Sequence, residues 1–328
     1  MDKSIVNKIL QEPIMEAWEI ILTQMWQVMS APISKSNAES KIIERDRIIG
    51  EFDNLISGSS WELWHGISES QIKTSTMLIK YWASSLDGKA ILILDALSLR
   101  ETPWLKEEAS KRGYEIEINR ATFSEIPGDT TPFAKALGFG QRSSLADNGG
   151  KSVFFPDAFT ETVDLPFIDC ASLVKPEKGI IFWHQWPDSA IHAEAEAGDG
   201  ARKITKAVVD RLTSESFWMF VDKLTTGRSL VITGDHGYAD AGLFHPINDK
   251  DQSDYMKSLF KSGRSAPMSE VNMHCWVPPL TLNENDHILV LGRRKWKSPG
   301  GYPTLVHGGL SLLEVTVPYI QIRKKRLG

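Results

Sequence analysis

Between Ile5 and Met29 apolar residues recur every three to four positions, at Ile9, Ile14, Trp18, Ile21, Leu22, Met25 and Met29. That spacing predicts an amphipathic helix, which Pro13 begins or kinks. Helical patterns also cover Ala38 to Leu55 and Ser68 to Ala83, the latter with Ser68 as its N-cap. From residue 89 the pattern changes. Continuous apolar runs at Lys89 to Asp95, Gly179 to His184 and Ser229 to Thr233 predict buried strands of a parallel sheet. Glu115 to Arg120, Asp286 to Leu291 and Val315 to Ile322 read as further strands, and helical stretches such as Ala201 to Lys223 stand between them. Five or six strands alternating with helices predict an α/β fold with a doubly wound, mostly parallel sheet. Residues 1–86 read as a helical N-terminal appendage to a domain over 87–328. The stretches Gly138 to Pro176 and Tyr238 to Glu284, poor in periodicity, read as excursions over the sheet, of the kind that become lids or substrate-selecting caps.

Composition narrows the function classes. A chain of 328 residues suits one large α/β domain with an appendage. Its net charge of -5 excludes a generally basic, nucleic-acid-coating protein and leaves only local basic patches, of which Arg293 to Lys297 is the clearest. No apolar run is long enough to span a bilayer and the N-terminus lacks a signal pattern, so a cytoplasmic location is the expectation. Cys170 and Cys275 form neither a disulfide framework nor a Cys-x-x-Cys zinc site, which leaves packing as their role.

The chemistry collects at strand ends, where open α/β sheets bind ligands. The strand Ser229 to Thr233 runs into Asp235-His236, bracketed by Gly234 and Gly237 that let the backbone bend or approach a ligand closely. Adjacent Asp and His offer an oxygen and a nitrogen to one divalent cation. Asp188 and His192, four apart, share a helical face and reach the same point. Asp95 ends another strand, where it is either a helix cap or a ligand. Thr130 stands three residues after Pro127 and just before a helical pattern, so its hydroxyl either caps that helix or acts as a nucleophile once its pKa is lowered. His184 supports a ligand, faces substrate, or simply packs. His307 lies in Leu305-Val-His-Gly-Gly309.

In order, Asp95-Ala-Leu97, Pro127-x-x-Thr130, His184 with Asp188, Asp235-His236-Gly237, and His307-Gly-Gly-Leu-Ser-Leu-x-Glu-Val-x-Val-Pro318 resemble the PglZ domain family of the alkaline phosphatase superfamily. The last motif is the most specific, and the resemblance spans residues 87–322. It implies an alkaline-phosphatase-like fold with two divalent ions, zinc or manganese. One would be held by Asp95, Thr130, Asp235 and His236, and the other by Asp188, His192 and His307, with Thr130 as the nucleophile. The implied substrate is a phosphate ester, a nucleotide or short oligonucleotide diester, and the implied setting is bacterial anti-phage defence. His184, Arg293, Arg294 and Lys295 are candidate substrate contacts. Two departures stand out: many relatives carry Arg soon after Asp-Ala-Leu, whereas here Ser98 follows directly and Arg100 comes two later, and His192 stands where several members place Asp. A phosphosugar mutase or a phosphatase of the same superfamily is the alternative enzyme. The non-enzymatic alternative is a metal-binding scaffold of a defence complex, with the N-terminal helices docking a protein partner.

Overall fold

A computed structural model describes residues 3–67, 72–194, 200–268, 276–298 and 301–325. Its N-terminal helices are α1 (Lys3–Gln11), α2 (Ile14–Met29), α3 (Ala38–Ser59) and α4 (Thr74–Ala83). Pro13, which has no N–H to donate and a fixed φ, separates α1 from α2. Ser68 and Cys275 lie outside the described residues.

The elements that follow are β1 (Lys89–Leu94), α5 (Thr102–Lys111), β2 (Tyr114–Phe123), α6 (Thr130–Ala136), β3 (Phe159–Val163), α7 (Phe167–Leu173), β4 (Gly179–His184), α8 (Asp188–Glu194), α9 (Gly200–Leu212), α10 (Glu215–Thr225) and β5 (Ser229–Thr233). A C-terminal strand, Thr316–Lys324, completes a six-stranded sheet. The strand order is β2, the C-terminal strand, β5, β1, β4 and β3. The C-terminal strand runs antiparallel to both its neighbours, while β5, β1, β4 and β3 are mutually parallel. This is the expected α/β fold with a doubly wound, mostly parallel sheet.

Strand alternation explains why both faces must be covered. In β1, Ala90, Leu92 and Leu94 join one buried cluster with Leu105, Val208, Phe220 and Leu224, whereas Ile91 and Ile93 join another with Leu78, Trp82 and Phe133. Side chains two apart point to one face, so a strand that is apolar throughout stays dry only between two helical layers.

Three elements differ from the sequence expectation. Asp286 to Leu291 is no part of the main sheet: His287–Val290 pairs antiparallel with Ser265–Pro267 and Thr281–Glu284 in a separate three-stranded sheet. β3 lies inside the stretch read as an excursion: its sequence Phe-Thr-Glu-Thr-Val lacks the apolar run of the inner strands, and among the described residues it pairs only with β4, at the sheet edge. The helical stretch after Ala201 divides at Ser214, whose hydroxyl accepts from Phe217 N–H at 3.2 Å and starts α10 afresh.

The N-terminal helices share their core with the rest of the chain. Trp18, Ile21, Met25, Ile49 and Phe52 are buried in one cluster with Leu99, Phe123, Leu310, Leu313 and Val315. Two buried ion pairs tie α3 to the later chain, Asp46 with Arg100 at 2.7 Å and Asp53 with Arg293 at 2.6 Å.

Candidate metal centre

Asp95 follows β1 directly and is fully buried. Its main chain is fixed on both sides: its N–H donates to His184 O at 2.9 Å, and its carbonyl accepts from Asp188 N–H at 3.0 Å. The ends of β1 and β4 are thereby locked together, which brings the start of α8 beside Asp95. At the end of β5, Asp235 Oδ1 accepts from Ala96 N–H at 2.9 Å, so the loops after β1 and β5 are joined as well. Gly234 and Gly237 are needed for close approach to neighbouring backbone. A Cβ at Gly234 would stand 2.5 Å from Leu97 O, and one at Gly237 would stand 2.2 Å from Leu313 O.

His236 Nδ1–H donates to Gly237 O at 3.0 Å, leaving Nε2 facing Asp95 Oδ1 at 3.5 Å and Asp235 Oδ2 at 3.8 Å. From the other side comes His307, whose ring lies 4.4 Å from that of His236 and 5.6 Å from that of His192. His192 Nε2 sits 3.4 Å from Asp188 Oδ2. Glu314 explains why the C-terminal motif has its spacing. Its fully buried carboxylate accepts from Gly309 N–H at 2.9 Å, Ser311 Oγ at 2.6 Å and Arg264 Nε at 2.6 Å, while its carbonyl accepts from Gly237 N–H at 3.0 Å. One residue therefore braces both histidine-bearing loops.

Thr130 Oγ1 lies 3.3 and 3.4 Å from the two Asp95 oxygens. The helix-capping role that sequence allowed for Thr130 belongs instead to Asp129, whose Oδ1 accepts from Thr130 N–H at 2.7 Å. Thr130 is the first residue of α6, with its hydroxyl turned to Asp95, and Thr131 is exposed.

The expected ligand residues thus converge. The donor atoms of Asp188, His192 and His307 lie within 4.8 Å of one another, as do those of Asp95, Asp188 and His236. The electrostatics are those of an anion-rich pocket. Burial, with the neighbouring charge of Asp95, pushes Asp235 up to about 7. Burial disfavours protonated His236, yet Asp235, Asp95 and Asp188 outweigh it and hold that imidazole well above its ordinary value. Burial would likewise raise Asp188, but the hydrogen bond from His192 and the fields of His236 and His307 hold it below the usual carboxylate range. Two buried carboxylate oxygens, Asp188 Oδ1 and Asp235 Oδ2, have no hydrogen-bond partner among the described residues. An unpartnered buried carboxylate oxygen is costly, and mixed carboxylate and imidazole donors at this spacing suit zinc or manganese. The residues fit such ions.

The candidate substrate contacts fall elsewhere. His184 is buried with both nitrogens occupied, Nε2–H donating to Leu165 O at 2.8 Å and Nδ1 accepting from Trp186 N–H at 2.9 Å. Arg293 is buried and donates to Asp53 at 2.6 Å and to Asp46 O at 2.8 Å. Arg294 donates to Pro279 O at 2.5 Å and Lys295 to Ala241 O at 2.8 Å. Arg293, Arg294 and Lys295 are internal ties because their charges meet carboxylate and carbonyl oxygens of packed segments, while Lys297 is exposed. Arg142, which sequence reasoning missed, donates to Asp95 Oδ2 and lines a cleft of about 540 Å³ with Thr130, Thr131, Gln141, Thr162 and Gln185. Nothing local marks Arg142, which lies in the aperiodic stretch after Gly138; only the fold places it beside Asp95.

No protein-family model and no curated protein matches the chain. Among solved structures, it is similar to murine ectonucleotide pyrophosphatase/phosphodiesterase 5 at 11% identity and a TM-score of 0.44, covering 72% of this chain and 88% of that one. The inactive form of the same mouse protein in complex with AMP aligns at 10% identity and a TM-score of 0.43, with the same coverage.

Proposed function

We propose that this protein is a metal-dependent phosphohydrolase of the PglZ type, cleaving phosphodiesters of nucleotides or short oligonucleotides with Thr130 as nucleophile. One observation carries the reading: six ligand-type side chains from four separate segments, Asp95, Asp188, His192, Asp235, His236 and His307, gather beside the Thr130 hydroxyl. Asp95, Asp235 and His236 would hold one cation with Thr130, and Asp188, His192 and His307 a second. Bound there, divalent ions would supply the positive charge that lowers the pKa of an alcohol and stabilises oxygens developing charge in an in-line displacement.

The chain's own contribution begins with Asp95, which orients the Thr130 hydroxyl. Arg142 offers a guanidinium at the wall of the adjoining cleft, where a phosphoryl group meets a charge-assisted donor. Attack forms the bond from Thr130 Oγ1 to phosphorus and breaks the bond to the leaving alcohol, which takes up a proton. Water then cleaves the phospho-threonine, returning the hydroxyl and releasing the phosphate product. A role in anti-phage defence extends the family resemblance.

The test is metal analysis of purified protein together with hydrolysis of a chromogenic phosphodiester beside the matching monoester. Bound zinc or manganese with faster diester turnover supports the proposal. Monoester preference moves the protein to the phosphatase or mutase reading, and no turnover with ions bound leaves the scaffold.

A further inference from the structure

Asp129 precedes the proposed nucleophile and belongs to neither of the two ligand sets above. Its carboxylate, His236 and His307 nonetheless place donor atoms within 4.8 Å of one another, a third such group in the site. Ligands of one tetrahedral zinc ion stand about 3.3 Å apart at bonds of about 2.0–2.1 Å, so a modest inward movement closes the set. Asp129 Oδ1 caps α6 through Thr130 N–H, and the half-buried carboxylate has a second oxygen. Both imidazoles are oriented for coordination by their other nitrogen, since Nδ1 of His236 faces Gly237 O and Nδ1 of His307 faces Gly128 O at 3.3 Å. Fixing one ring nitrogen on a carbonyl is how a metal-binding imidazole has its tautomer set.

We infer that Asp129 is itself a metal ligand, closing with His236 and His307 a position for a zinc- or manganese-class divalent cation on the open side of the site. The inference rests on the metal-dependent reading and adds to it. His236 and His307 come one from each of the two sets and each has one nitrogen free, so an ion held with Asp129 takes both imidazoles in place of the two-ion arrangement, as an alternative loading of the same site.

The competing role is the helix cap alone, and Asp129→Asn separates the two, because an Asn oxygen caps as well as an Asp oxygen but is a far poorer ligand. The full chain is stripped of metal, and zinc binding is followed by competition with a chromophoric chelator, with cobalt absorption as a second readout. For D129N we expect the metal-stripped chain to melt where the parent does. We further expect zinc affinity weakened at least about tenfold for one ion and an altered cobalt spectrum, with Asp129→Glu restoring part of the affinity. Unchanged zinc affinity and cobalt spectrum in D129N would overturn the inference while leaving the two-ion reading intact. A parent chain that takes up neither zinc nor manganese would instead sink the metal-dependent reading, and this inference with it.

Discussion

The imidazoles of His236 and His307 lie 4.4 Å apart and within 24° of parallel, yet their protonation preferences are opposite. His236 is held well above its ordinary value, because Asp235, Asp95 and Asp188 outweigh its burial. Burial, aided by the positive field of His236, pushes His307 down. A neutral His307 is ready to ligate, whereas His236 must surrender a proton first. Metal uptake should therefore release protons and weaken as pH falls.

The first prediction follows from that pair. Saturating zinc should raise the melting temperature of the stripped chain by several degrees, since ligand at a thousandfold excess over Kd contributes about 4 kcal/mol to the folded state. His307→Ala should retain about one ion fewer than the parent by elemental analysis. Equal metal content in parent and variant would show that His307 is no ligand.

Thr130→Ala removes the hydroxyl that faces Asp95 while leaving the Asp129 cap in place. Turnover of the diester should fall at least about a hundredfold, roughly 2.7 kcal/mol of transition-state stabilisation, with the fold retained. Thr131→Ala, at an exposed position, should fall much less. Should the Thr131 variant be the inactive one, or both remain active, Thr130 is not the nucleophile.

Arg293 should matter to stability and not to substrate capture. Arg293→Met leaves Asp53 buried without its cation, and breaking a buried pair on one side costs about 3–5 kcal/mol. Denaturant unfolding should show that loss. Lys295→Gln should leave KM and its salt dependence near the parent's; a raised KM at low salt would return the basic run to the site.

Glu101 gives a pH dependence of known sign. Burial, only partly offset by Arg100 and by the hydrogen bond from Tyr238, pushes its carboxyl up to about 7. Between the ordinary glutamate range and pH 7 the folded chain keeps a proton that the unfolded chain has lost. Stability therefore falls as pH rises through that window, by on the order of 3 kcal/mol. Glu101→Gln keeps an acceptor for Ser98 N–H and a partner for Tyr238 Oη, so it should be nearly neutral at pH 5 and more stable than the parent at pH 8. Parallel stability curves for the two proteins across that range would contradict this.

What the sequence made legible follows from locality. Inner strands announce themselves as apolar runs, and Asp95, Asp188, Asp235 and His236 stand where those runs end or just beyond. The edge strand β3, half-exposed along much of its length, carries no such run, and its place depends on β4 beside it. Arg293 misled because a charge's partner is a tertiary fact: nothing near residue 293 names Asp53. Asp129 and Arg142 were missed for the same reason. Their importance lies in what the fold brings opposite them, namely His236 and His307 for one and Asp95 for the other.

The antiparallel strand Thr316–Lys324 sits between β2 and β5, inside the sheet and not at its rim. During synthesis both of those neighbours emerge long before it, each with an open row of backbone donors and acceptors and uncovered apolar side chains. The loop carrying His307 and the Glu314 brace also arrive late. Until residue 324 has left the ribosome the sheet is split, and until His307 and Glu314 have left it the metal-binding constellation is incomplete. The nascent chain is then most exposed to aggregation, and any activity the site has is withheld until translation has passed that point.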